Sequence, residues 1–291
     1  SSILGLDQEG HARALGIAGS QTAGSLEFLT DGSWTKRLHP GWAAHSGLLA
    51  ALMAREGFLG PSSIIEGKNG FLNSYSDNPD HDLVLRDLGE IFHVSRTSVK
   101  PHSCCRYNQG PIDCVLDISK NYDVHPQNVE QVTVGVLSAG FDIVAAPEEL
   151  KQNPVSVVDE QFSMPFGAAI AMLYGRASLS EYQQDVAQRQ EVKELMGKVR
   201  CVKDEGLDAA FPKQWPAWVE VRTKDGRTLR SEATYPKGDP ENALTSLELE
   251  QKFRGLSSAV LSEERQTHII NTIQKLETLA DITELAELAT A

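Results

Sequence analysis

No apolar run in this sequence of 291 residues approaches the roughly 18 residues that a membrane-spanning helix requires, so a helical transmembrane protein is not expected. A long basic block is also missing. The formal net charge is −13 with nothing to offset it, which argues against nucleic acid or an anionic membrane surface as a partner. Residues 1–20 lack the charged start and apolar block of a secretory signal. Cysteine is scarce: Cys104, Cys105, Cys114 and Cys201 are all there is. Two of these are adjacent, which suits reduced thiols better than a disulfide framework, and a cytoplasmic or organelle-matrix setting is expected. No Cys-x-x-Cys pair is present, so the usual zinc spacing fails, and no metal is expected. The glycines of "GIAGSQTAGS" follow no strand and form no GxxxxGK[ST] pattern, so they are not a phosphate loop.

What is present is an ordinary globular composition, 41% hydrophobic and 23% charged, long enough for one large domain or two smaller ones. The first ninety or so residues read as helices. Ala43, Ala44, Gly47, Leu48, Ala51 and Leu52 recur at helical spacing, with Pro40 expected at the first helical position and Gly57 as a stop. Leu4, Leu6, Ala12, Leu15 and Ile17 are apolar enough to need neighbours, and the chain reads as though cut from a longer one. From residue 95 to 237 the pattern changes. "VEQVTVGVL" places Val132, Val134 and Val136 on one side of a strand, and a hairpin is expected around Asp225-Gly226 with Val219 and Val221 on one face. Helical stretches are expected near 163–175 and 179–197. Thr245 and Glu248 match a capping box, and Ser262 opens a helix carrying Ile269, Ile270, Ile273, Leu276 and Leu279. The expected architecture is α+β: one helical domain formed by 1–94 and 238–291, interrupted by a smaller α+β domain at 95–237.

An acidic protein can bind a small acid only by concentrating cations locally. "DGSWTKRLHPGWAAHSG", residues 31–47, does so with Lys36, Arg37 and His39 at the start of a helix whose free N–H groups already favour anions. A carboxylate or phosphate cradle would use them; so would a plain solvated loop. "SVKPHSCCRYNQGPIDC", residues 98–114, gathers Lys100, His102, Cys104, Cys105 and Arg106. A cysteine nucleophile paired with His102 would need an orienting third group, and none can be named from the sequence. The two thiols read better as small packing residues, with Lys100 and Arg106 as possible carboxylate ligands.

Four stretches in order resemble the MmgE/PrpD family: "GIAGSQTAGSLEFLTDGSWTKRLHPGWAAHSGLLAALMAREGFLGP", "VKPHSCCRYNQGPID", "EQFSMPFGAAIAMLYG" and "YPKGDPENALTSLELEQKF". The family holds 2-methylcitrate dehydratases, cis-aconitate decarboxylases and iminodisuccinate epimerases. The resemblance implies a helical domain with an inserted α+β lid, a homodimer, and proton transfer beside a carboxylate of a small di- or tricarboxylic acid without metal or organic cofactor. It implies Lys36 and Lys100 as the central site residues, with His39, Arg106, Gln109 and Phe166 as substrate-binding candidates. Dehydration of an acid such as 2-methylcitrate is expected, with epimerisation, decarboxylation or simple carboxylate binding as alternatives. Gln109 stands where many relatives have His, and Phe166 where they often have Tyr. The resemblance further implies an N-terminal helical region, bearing much of the acid–base machinery, that this chain lacks.

Overall fold

The computed structural model describes residues 1–290, which divide into two compact units, the first running from Ser1 to Val94 and the second beginning at Ser95. No helix among the described residues is long and apolar enough to cross a membrane.

In the first unit, α1 (Gln8–Gly19) starts where the Asp7 carboxylate accepts the Gly10 N–H, and it packs on α2 (Thr35–Arg55). The contact is made of small residues. Ala14 and Ile17 of α1 meet Ala50, Ala51 and Ala54 of α2, with Leu4, Leu6, Ala18 and Met53 closing the edges. Side chains this short bring two backbones close, which is why the alanine spacing of α2 matters more than its bulk. The chain leaves the helix through Glu56 and Gly57, the latter at φ +88°. Pro40 is not at the first helical position. The helix begins five residues earlier, at Thr35, and Pro40 lies inside it. A proline there removes the donor that would meet the Lys36 carbonyl, a local cost of about 3 kcal/mol in a helix interior.

The second unit is built on a four-stranded sheet in the order β2-β1-β3-β4. β1 (Val129–Val136) runs parallel to β2 (Val199–Lys203) and antiparallel to β3 (Ala217–Thr223), and β3 forms a hairpin with β4 (Thr228–Ala233) around Asp225-Gly226. The register pairs Val132 with Val199 and Val221, and Val134 with Cys201 and Val219. These valines are wholly buried, as their alternation predicts. Gly135 occurs where a Cβ would stand 2.2 Å from Trp218 Nε1, so only glycine lets that indole lie across β1 and donate to Asp204 at 2.7 Å.

Helix α3 (Arg106–Asn121) covers β3 and β4 with Ile112, Val115 and Ile118, all 0% exposed, and packs on α4 (Met164–Tyr174). Helical structure in the 179–197 region is limited to a 3₁₀ turn at 186–188 and α5 (Gln190–Met196). Three helices finish the chain: α6 (Ser246–Ser257), α7 (Glu263–Ile273) and α8 (Thr283–Ala289). α7 ends at Ile273, and Leu276 lies in a separate 3₁₀ turn.

Candidate active site

Lys36 and His39 share the first turns of α2, inside the helix and not in a loop before it. Lys36 is exposed, its ammonium 5.8 Å from the centre of the Phe28 ring. Phe28 is buried, and its ring stands edge-on to the His39 imidazole at 6.3 Å, so one aromatic side chain seats both groups. Trp34 and Trp42 bury little. They are 73% and 53% exposed, Trp34 beneath the Arg37 guanidinium and Trp42 stacked on His45 at 5.2 Å.

His39, Trp42, Ala43, Ser46 and Gly47 follow the i, i+3, i+4, i+7, i+8 spacing of one helix face, and together they wall a recess of about 400 Å³. The opposite wall comes from the end of α1 and the residues after it, Leu15 to Ala23, with Ile65 and Phe71. Most of this lining is apolar. The polar groups are few: the His39 ring, Gln21, Thr22 and Ser46, whose hydroxyl is buried with no hydrogen-bond partner among the described residues. A larger recess of about 580 Å³, lined by residues of α7, α8 and the turn between them, holds none of the candidate residues.

The second cluster lies at the start of α3. Lys100 is exposed and donates from Nζ to the Cys104 carbonyl at 2.9 Å. The Lys100 backbone is held from two sides. Val99 N–H donates to the Gly238 carbonyl at 2.8 Å, and Lys252 Nζ of α6 donates to the Lys100 carbonyl at 2.6 Å. Gly238 has φ +91°, and a Cβ there would lie 1.9 Å from the Val99 carbonyl oxygen, so the segments meet only through a glycine.

Arg106 donates to the Asp239 carboxylate at 2.6 Å and lies over Trp215 at 4.7 Å, so its charge is already answered. Asp239 is 3% exposed, and its second oxygen has no partner among the described residues. Next to it, Asp113 joins His102 Nε2 at 3.0 Å and accepts the Lys237 N–H at 2.7 Å. Asp113 is thus the orienting group for His102 that the sequence did not reveal.

Gln109 and Phe166 are each 0% exposed. The Gln109 amide accepts the His102 N–H at 3.1 Å and donates to the His102 carbonyl and Cys104 Sγ, each at 3.1 Å. Phe166 stacks edge-on with buried Tyr182 at 5.4 Å. Neither offers a surface to a ligand here; Gln109 ties down the segment that follows Lys100, and Phe166 packs in the core.

Burial pushes the Cys104, Cys114 and Cys201 thiols up to about 12, so at neutral pH all three stay protonated. A nucleophile or metal ligand must be a thiolate, so these cysteines suit packing. Among the described residues no group of three or more His, Cys, Asp or Glu side chains is arranged to hold a metal ion.

Each unit thus presents its own group: Lys36 and His39 beside a small recess in the first, and Lys100 on a segment held by buried hydrogen bonds in the second. The models of the MmgE/PrpD N-terminal domain and C-terminal domain match residues 1–84 and 102–278 respectively, and the chain belongs to the MmgE/PrpD family. It is 29% identical to a cis-aconitate decarboxylase-like protein, oryM, of Aspergillus oryzae, over 99% of this chain and 61% of that protein. It is 27% identical to the cis-aconitate decarboxylase of Aspergillus terreus, over 98% and 60%, and 24% identical to that of Mus musculus, over 99% and 58%. The chain therefore spans about three fifths of the length of these relatives.

Lys252 and Asp239 escaped the sequence reading although both lie in the block "YPKGDPENALTSLELEQKF". Their partners, Lys100 and Arg106, are more than 130 positions away, and no local spacing carries that signal.

Proposed function

We propose that this chain belongs to a cofactor-independent lyase acting on a small tricarboxylate, and that decarboxylation of a cis-aconitate-type acid is its reaction. The observation that carries this reading is the near-complete coverage of the chain by relatives named cis-aconitate decarboxylases. The expected dehydration of 2-methylcitrate, which rested on how common dehydratases are in the family, stands as the alternative.

The chemistry asks little of the protein beyond fixed positive charge and a proton. One C–C bond breaks, its carboxylate leaves as CO₂, and the electron pair spreads through the double bond onto a remaining carboxylate. A proton delivered to carbon then ends the carbanion. Lys36 and Lys100 are the groups we assign to the carboxylates, since charge fixed in advance stabilises the developing anion without reorganisation. His39, on the recess wall, is the candidate to orient or protonate. On the family plan the working form is a homodimer.

Proton NMR in D₂O on the whole protein, with cis-aconitate, 2-methylcitrate, citrate and iminodisuccinate offered separately, tests the reading. Expected is CO₂ release from cis-aconitate alone, with deuterium at one carbon of the product. Lys36→Ala should then cost about 10²-fold in kcat/KM. Water loss from 2-methylcitrate would return the dehydratase assignment. Exchange or inversion at a carbon of iminodisuccinate would make the protein an epimerase, and binding without turnover would leave a carboxylate-binding relative.

A further inference from the structure

α6 begins with a reciprocal cap. The Thr245 hydroxyl accepts the Glu248 N–H, and the Glu248 carboxylate accepts the Thr245 N–H at 2.7 Å. That carboxylate also lies 3.1 Å from Lys237 Nζ. Glu248 is four residues before Lys252, the spacing at which a helical Glu–Lys pair normally forms. Here the acid is already engaged. Lys252 turns to the Lys100 carbonyl at 2.6 Å, while Lys100 itself donates to the Cys104 carbonyl at 2.9 Å.

Neither ammonium forms an ion pair among the described residues, whereas the neighbouring cations Arg106 and Lys237 both do. An ammonium has three donors, so each lysine keeps two after its carbonyl bond. Lys252 is half-buried. Burial, and then the charge of Lys100, hold its ammonium below the usual lysine range, which places the two charges within electrostatic reach. A pair of like charges with spare donors and no counter-charge is stabilised by an anion that both can bind.

We propose that Lys252 joins Lys100 in a paired-lysine site for one carboxylate group of the substrate. Glu248, locked in the cap, keeps this pair uncompensated, and Gly238 and Lys252 together fix the Lys100 backbone. That the anion is a polycarboxylate substrate rests on the lyase reading; that the two lysines bind a carboxylate does not.

The test is a titration of the whole protein, labelled with ¹³C at lysine Cε, using propane-1,2,3-tricarboxylate as an unreactive probe. The Lys100 and Lys252 signals are assigned with the charge-keeping variants Lys100→Arg and Lys252→Arg. Both signals should move with one dissociation constant, and Lys252→Gln should raise that constant about tenfold, the loss of one charge-assisted hydrogen bond. Lys252→Arg should restore most of it. A Lys252 signal that stays still, with or without movement of Lys100, overturns the proposal, as does unchanged affinity in a folded Lys252→Gln. The wild-type titration decides the question even where a variant fails to fold. A protein that binds the probe through both lysines but turns over none of the four acids would lose the lyase reading and keep the site.

Discussion

The Gln109 side chain, on the first turn of α3, accepts from one backbone group of the segment before it and donates to others, closing the loop 102–105 onto the helix. Removing it strands a buried N–H and several carbonyls, each unsatisfied group costing about 1–3 kcal/mol. Gln109→Leu should therefore lower unfolding stability by about 2–4 kcal/mol, read from urea titration. A folded Gln109→Leu protein of unchanged stability but weaker substrate affinity would restore the role in substrate contact that the sequence suggested. Lys100, by contrast, has its backbone pinned and its ammonium at the surface, the combination a binding cation needs.

At the scale of the element, α2 and α6 make opposite use of their starts. α2 opens without a side-chain cap and carries Pro40 in its second turn, so its first turn, with Lys36 and His39, is held by fewer helical hydrogen bonds than a regular start. α6 is capped from both directions, and the same residues hold Glu248 away from Lys252. The Thr245 bonds hold the Glu248 carboxyl below its usual range. Thr245→Ala should cost about 1 kcal/mol of stability, measured by chemical denaturation. It should also weaken carboxylate binding, because Glu248, then held only by the residue-245 N–H and Lys237, turns more readily to its i+4 lysine. A stability loss with probe affinity untouched would separate the cap from the lysine pair.

For the molecule as a whole, the acid most exposed to pH is one the site does not use. Glu160 is 1% exposed, and one of its oxygens has no partner among the described residues. Burial first, then the charges of Asp185 and Asp159, push the Glu160 carboxyl up to about 7 from 4.5. A carboxyl raised on folding favours the folded state while both states are protonated. As pH rises from about 4.5, the unfolded chain ionises and the folded one resists, so stability falls until about pH 7 and then levels. At about 1.4 kcal/mol per unit, the change is roughly 3–4 kcal/mol. Glu160→Gln should flatten that part of the stability–pH curve relative to the parent, the other carboxylates cancelling in the comparison. An unaltered slope between pH 4.5 and 7 would show that Glu160 is solvated in solution.

The elements that declare themselves locally were legible in the chain: the valine alternation of β1, the Asp225-Gly226 hairpin, the Thr245/Glu248 cap and the small-residue spacing of α2. Each depends on contacts within a few residues or on a period that burial imposes. The family, too, could be read from four ordered blocks. What the sequence could not contain is the consequence of bringing distant residues together. Only the folded chain sets Asp239 against Arg106, Asp113 against His102 and Lys252 against the Lys100 backbone. Pro40, which local preference puts at a helix start, is carried inside α2, where tertiary packing of the alanine face on α1 outweighs the lost hydrogen bond. Gln109 shares a sequence block with Lys100, and only burial separates the side chain that ties the segment down from the lysine whose ammonium reaches the surface.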